Sequence, residues 1–351
     1  MKTTKTISSL ILTAILLLSA FVGFAQEASK TINKSFMVNK DATLSVDNRF
    51  GKIHCNVWDK NEIAIEVEIT AIAPNQKMAE QMVANVNVDI NGNASKVTAV
   101  TSMQDKTSTN GKTSINIDYT INIPRTLNLQ LSNKFGDIYL DENTRSSQIL
   151  LEYGNLQVNN LAGENHQLTM KFSKGRLGKA ENLNLDMGYS ELTCNEITDL
   201  VIDSKFSTFE IENVGSIRHD SQYDTNRFGD SESFTSVAKF STINIGSVSD
   251  LLDLDVRYGG ATVKEIGPKF SYVVVNNSFG NVDLRFDPEI SFMLDAESSF
   301  GEVSFPRSSD VVVEEVSFTG KTYKGTVGKQ GKSSRKVTIT TRNGDVNLKL
   351  K

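Results

Sequence analysis

Two series of opposite charge run through the middle of this chain at a near-constant interval. A basic residue stands just before an aromatic one at Lys134, Lys171, Lys205, Lys239 and Arg257. An acidic residue occupies the slot two positions earlier at Asp186, Asp203, Asp220, Asp255 and Glu297. Residues two apart on a strand share a face, so the series predict two parallel charge stripes. Their candidate ligand-facing members are Asp186, Asp203, Asp220, Asp255, Lys171, Lys205, Lys239 and Arg257. The chemistry open to them is binding of an extended anionic or calcium-bridged polymer. The plainer alternative is a solvated face whose pairs, Asp203/Lys205 and Asp255/Arg257, each contribute roughly 0–1 kcal/mol. Asp186 and Asp220 are expected to flank Lys205 from the adjacent repeats. Calcium needs several oxygens at one point, and no repeat here carries a Gly-Gly-x-Gly-x-Asp loop. No metal or other cofactor is therefore assigned.

Catalytic chemistry has little to stand on. Asp220, Asp224, Arg227 and Asp230 are the one local cluster of the kind that cleaves polysaccharides; the plainer reading is an irregular polar loop. His54, His166 and His219 occupy different repeat positions; His54 and His166 read as exposed strand or corner residues, His219 as a polar intrusion. There is no Gly-x-Ser-x-Gly elbow, His-Glu-x-x-His pair or phosphate loop. No catalytic residue is assigned. Cys55 and Cys194 each stand five residues after a repeat aromatic, a slot otherwise filled by Leu, Ile and Val. They read as free, buried small hydrophobes rather than a disulfide.

The elements that must position these residues are written in the aromatics. Phe135, Tyr153, Phe172, Tyr189, Phe206, Tyr223, Phe240, Tyr258, Phe279 and Phe300 recur 17 to 21 residues apart. Each is followed by Gly or Ser except Tyr223, which precedes Asp224. Apolar or small residues recur at −4 and −2 from the aromatic, then at +3, +5 and +8, as in Phe209, Ile211 and Val214. Alternation at period two means strand, and the change of phase at the aromatic requires one residue to be absorbed there. Gly at +1 suits such a corner because it tolerates positive φ. The fold class is therefore all-β: a single-domain β-solenoid (β-helix-like) with ~17–21-residue rungs. The aromatics are expected to stack in a column. The rung of Tyr223, with His219 at −4 and Asn226 at +3, predicts a local defect or bulge.

The ends differ. Residues 1–25 read as a signal peptide: Lys2 and Lys5, an apolar run to Phe24, and cleavage after Ala25. Its removal takes away two lysines and no acid, moving the formal charge from −5 to −7. A mildly acidic chain argues against nucleic acid as a partner, and no later apolar run is long enough to span a membrane as a helix. Residues 26–125 predict strands and a short amphipathic helix from Asn75 to Val86 that caps the solenoid. Residues 126–351 predict the repeats and a closing rung. Met103–Lys112 and Gly328–Lys336 read as loops. The last rung reads as hairpin-like around Asn343-Gly344, with Lys349 and Lys351 guarding an edge.

These features resemble a bacterial secreted family described as "putative adhesins", a β-solenoid domain of unknown function found in envelope proteins. The resemblance rests on Arg49-Phe50-Gly51-Lys52-Ile53, the helix near 75–86, the repeated Phe-Gly-x-Ile-type steps and Thr341-Arg342-Asn343-Gly344-Asp345-Val346. It implies a noncatalytic exported protein of the periplasm, outer-membrane surface or extracellular space. Such a protein is an adhesin-like binding or scaffold module, and its partner is an extended glycan or an envelope or surface protein. The rivals are a carbohydrate-active enzyme on a β-helix and a periplasmic sensor or assembly partner.

Overall fold

The structure, a computed structural model, describes residues 25–104, 113–328 and 334–351. The expected signal segment lies outside the described residues except for Ala25, as do most of the two expected loops. The described residues are 72% strand and 3% helix and wind into a β-solenoid of about nine turns. All the described strands join one sheet.

The predicted phase change is visible in every regular rung. In Glu191–Lys205 and Thr208–Gln222 the residues Ile202 and Ser204 face inward before Phe206, and Ser207, Phe209 and Ile211 face inward after it. Parallel register carries each slot from rung to rung. The +3 column runs Leu192, Phe209, Asn226, Ile243, Ala261, Val282. Each inward column is thus a ladder through the core. Cys55 and Cys194 sit in such ladders, free and buried, and burial pushes both thiols up to about 12.

The residue absorbed at the corner is the aromatic itself, not the glycine after it. Every repeat aromatic from Phe50 to Phe300 has φ between 51° and 61°, whereas Gly136, Gly154, Gly259 and Gly280 do not have positive φ. A left-handed L-residue costs roughly 1–2 kcal/mol. Two interactions offset it. Each corner N–H donates to the next rung, as Phe172 N to Gly188 O and Tyr189 N to Lys205 O, both at 3.0 Å. The rings also stack, which contributes about 0.5–1.5 kcal/mol per pair.

The C-terminal end departs from expectation. The strands Lys336–Arg342 and Val346–Leu350 insert between the rung of Phe279 and the rung of Phe300. They lie in parallel with both neighbours, so Asn343-Gly344 is a solenoid corner and not a hairpin. Asn343 takes the aromatic's left-handed slot at φ 53°, which separates Phe300 from the column. Lys349 and Lys351 guard no edge. They pair with Asp283, at 3.1 Å, and with Glu265. The outer strand at this end is Asp310–Glu315, antiparallel to Gly320–Gly328.

At the other end the rung of Phe50 is followed outward by Ser114–Ile123, Glu62–Ala73 and Gln26–Met37. The helix spans Gln76–Ala84, capped by Asn75 Oδ1, which accepts from Met78 N at 2.9 Å. It buries Ala79, Met82 and Val83 and packs on the strands Gln26–Met37 and Glu62–Ala73.

The rung of Tyr223 carries an irregularity, as expected, but away from the polar residues around its corner. Thr225–Lys239 pairs with Thr208–Gln222 without a register break; a register shift, a bulge or irregularity, lies further on, between Ser231 and Ser233 against the next rung. Its polar residues fill inward slots and bond to one another. Asp224 Oδ2 accepts from Ser204 Oγ and Ser221 Oγ, both at 2.7 Å, and from Gln222 N at 3.1 Å. Asp224 Oδ1 accepts from Ser207 N at 2.7 Å. Asn226 Nδ2 lies 3.2 Å from His219 Nε2, and His219 Nδ1 lies 2.9 Å from Ser236 Oγ. Burial lowers the His219 pKa to about 3, so the ring is neutral near pH 7. His166, expected at the surface, is also buried. Its Nδ1 lies 2.8 Å from Ser147 Oγ, and burial lowers its pKa.

Candidate functional site

The left-handed corner throws each aromatic side chain outward while its backbone stays in the ladder. Ten rings, Phe50, Phe135, Tyr153, Phe172, Tyr189, Phe206, Tyr223, Phe240, Tyr258 and Phe279, form one continuous stack. Successive centroids are 4.7–5.5 Å apart and planes differ by at most 17°. From Phe135 to Phe279 these residues are 42–55% exposed, so the column is a surface feature. Nonpolar rings left half in water along the whole column are not required by a sealed core, and large exposed apolar patches mark interaction surfaces.

The predicted charge stripes run beside it. At −1 the register aligns Lys134, Glu152, Lys171, Gly188, Lys205, Gln222, Lys239 and Arg257. At −3 it aligns Asp186, Asp203 and Asp220, then Val237, then Asp255. Glu297 lies beyond Asn276 and Thr340 in the same column. Arg257 and Asp255 pair as expected, through Nε to Oδ1 at 2.9 Å and Nη2 to Oδ2 at 2.6 Å. Lys205 and Asp203 do not form an ion pair among the described residues. Two residues along a strand separate the slots by about 6.6 Å, a gap that the forked guanidinium bridges with two bonds. Lys134 instead pairs across rungs with Glu152 at 2.7 Å and lies over the Phe135 ring, 5.4 Å from its centroid. Lys171, Lys205 and Lys239 have no ion pair among the described residues.

The three facing carboxylates repel one another. Lost hydration, then Asp220 and Asp186, push the Asp203 carboxyl above its ordinary value of 3.8, with Lys205 opposing. A raised folded-state pKa means that the folded chain holds this proton more tightly than the unfolded chain does. Stability is therefore lost as pH rises through the raised value and regained as pH falls. Asp203→Asn is expected to stabilise the chain at neutral pH by roughly 0.5 kcal/mol, the scale of like charges facing across strands. Its advantage should vanish below the carboxylate range. Equal melting of the two proteins at neutral pH would reject the crowding.

The proposed hydrolytic cluster disperses. Asp224 faces the core, Asp220 lies on the acidic stripe, Arg227 lies 3.6 Å from Glu210 on the strand after the corner, and Asp230 accepts from Ser247 Oγ at 2.7 Å. Among the described residues no group of three or more His, Cys, Asp or Glu is placed to hold a metal ion. None of their helices is long and apolar enough to cross a membrane. What sequence reasoning missed is that the rings are exposed and that the Tyr223 rung is an ordered polar layer. The signal for the second was present, since His219, Ser221, Asp224 and Asn226 all fall in inward slots.

Three solved structures are similar over most of their length. A "putative cell adhesion protein" from Clostridium sporogenes is 12% identical, with 93% of this chain and 100% of that chain covered and a TM-score of 0.18. A "putative adhesin" from Parabacteroides distasonis is 13% identical, with 93% and 98% covered and a TM-score of 0.32. A "putative lipid binding protein" from the same species is 12% identical, with 93% and 98% covered and a TM-score of 0.26. No curated protein matches the chain. Residues 44–349, from the rung of Phe50 to the closing rung, match the family model described as Toastrack DUF4097, and the chain belongs to that family.

Proposed function

We propose that this protein is a noncatalytic, exported envelope or surface protein whose solenoid is a binding or scaffold module for an extended partner. The observation that carries this reading is the column of ten stacked rings, nine of them exposed, with charged columns in register beside it. A long rigid solenoid offers such a surface to an elongated ligand at no further ordering cost. In this reading residues 1–25 direct export, residues 26–125 cap the array and residues 126–351 carry the binding face. The dispersal of Asp220, Asp224, Arg227 and Asp230 supports binding over hydrolysis.

The test is co-sedimentation of the purified mature chain with isolated envelope material, together with an assay for released reducing ends. Retention without release is expected. Release that disappears in Asp220→Asn would replace this reading with a carbohydrate-active enzyme. Protease treatment of intact cells then separates surface from periplasm: digestion favours adhesion, and protection until the outer membrane is breached favours a periplasmic scaffold.

A further inference from the structure

The exposed face repeats every two rungs, not every one. From Phe135 to Phe279 the stacked rings alternate strictly between Phe and Tyr. The residue before each of the first four Phe is Lys: Lys134, Lys171, Lys205 and Lys239. The residue before each Tyr is Glu152, Gly188, Gln222 or Arg257. Along the middle of the column a cation and a phenol therefore recur every second rung, offset from each other by one rung. At ~4.8 Å per rung the period is roughly 10 Å.

The fold asks for none of this. A left-handed corner with a stacked ring is satisfied equally by Phe or Tyr, and an exposed strand slot accepts any polar residue. The hydroxyls of Tyr153, Tyr189, Tyr223 and Tyr258 have no protein partner among the described residues, and Lys171, Lys205 and Lys239 have no ion pair there. These groups are free to meet something outside the chain.

The geometry limits what that is. From Phe135 to Tyr258 each ring lies between two others at 4.7–5.5 Å, so neither bases nor sugars can stack on those faces; only ring edges and hydroxyls are presented. Binding of a nucleic-acid strand by base stacking is therefore unavailable. An extended peptide repeats its faces every ~6.6–6.8 Å and does not match the cation spacing. A linear glycan of β-linked hexoses does: its two-sugar repeat is close to the two-rung period, and its hydroxyls bond to phenols.

We propose, resting on the binding-module reading above, that the column binds a linear anionic polysaccharide with one carboxylate per two-sugar repeat, its carboxylates on Lys171, Lys205 and Lys239 and its hydroxyls on Tyr189 and Tyr223. The neighbouring stripe sharpens the choice. A polymer charged on every sugar would set alternate carboxylates against Gly188 and Gln222, where no cation waits and Asp186 and Asp220 lie two residues away on the same face.

The test measures binding of the mature chain at low salt to four polymers. These are hyaluronan, with a uronate on alternate sugars; polygalacturonate, with one on every sugar; neutral hydroxyethyl cellulose; and single-stranded DNA. Hyaluronan is expected to bind best. The triple variant Lys171→Gln/Lys205→Gln/Lys239→Gln should weaken it by about tenfold or more. The quadruple variant Tyr153→Phe/Tyr189→Phe/Tyr223→Phe/Tyr258→Phe should weaken it severalfold. Both variants should keep the wild-type melting temperature, because none of the substituted groups is buried and none has an ion pair or side-chain hydrogen bond among the described residues. Equal or tighter binding of polygalacturonate, the neutral glycan or DNA overturns the assignment and leaves the binding module standing. So does hyaluronan binding that is indifferent to the lysines and phenols. No binding to any of the four, with retention on envelope material, also overturns the assignment alone; loss of both overturns the binding module as well.

Discussion

Asp224→Ala is expected to destabilise the chain by about 3–5 kcal/mol, read as a fall in the urea midpoint without a change in slope. The carboxylate is buried and accepts four hydrogen bonds, two from the backbone N–H groups of Ser207 and Gln222 and two from Ser204 and Ser221. The serine hydroxyls can turn to other acceptors. The two N–H groups cannot; a buried donor such as Ser207 N left without a partner costs about 1–3 kcal/mol, and the half-buried Gln222 N adds to it. The repeat itself supplies the control. In neighbouring rungs the slot of Asp224 holds Ser190, Ser207 and Ser241, and the serine oxygen accepts the N–H of the rung before, as in Ser190 N to Ser207 Oγ at 3.2 Å. Asp224→Ser should restore the bond from Ser207 N and cost less than about 1.5 kcal/mol. If the Ala and Ser variants melt together, Asp224 is not the acceptor on which this layer depends.

That layer also marks where the sequence was legible and where it was not. The rung length, the strand phase and the aromatic column follow from period-two alternation and one recurrent ring, because in a solenoid each residue meets its counterpart one rung away. Polar residues in inward slots looked like loss of pattern. They were pattern with a different chemistry: His219, Ser221, Asp224 and Asn226 satisfy one another across rungs, and burial keeps His219 neutral. His166 was misjudged for the same reason, since Ser147 of the adjacent rung supplies its partner. The displacement of Phe300 was not legible at all. Nothing local in Lys336–Leu350 says that this segment slots between two earlier rungs rather than stacking after them. On the exposed face the stripes were legible as spacing. The pairing within them depends on side-chain reach, which distinguishes Arg257 from Lys205.

Gly136→Ala is expected to cost about 4 kcal/mol or more, enough to threaten folding of the chain. A Cβ on Gly136 would lie 1.8 Å from Gly51 O and 2.6 Å from Gly51 C, and one on Gly154 would lie 1.9 Å from Gly136 O. The contact is backbone on backbone. Neither rung can move aside, because Phe50 N bonds to Lys134 O at 3.0 Å and Ile53 N to Asp137 O at 2.9 Å on the two sides of the corner. Asn133 Nδ2 closes it further by donating to Gly51 O at 2.7 Å and Asp137 O at 2.8 Å. Here the residue at +1 is glycine because a carbonyl of the preceding rung fills the place of its side chain. The serine corners solve the same problem the other way. At Ser190 the Cβ is already accommodated, Oγ accepts from Ser173 N at 3.1 Å, and Oγ donates to Gly188 O at 2.9 Å. Ser190→Ala removes two hydrogen bonds but adds no atom, and should cost only about 1–2 kcal/mol. The same alanine at the same repeat position is thus expected to be severe in one rung and mild three rungs later. Equal costs in paired denaturant titrations would mean that the two corners do not differ in backbone path, and the distinction between carbonyl-filled and serine-filled corners would fall.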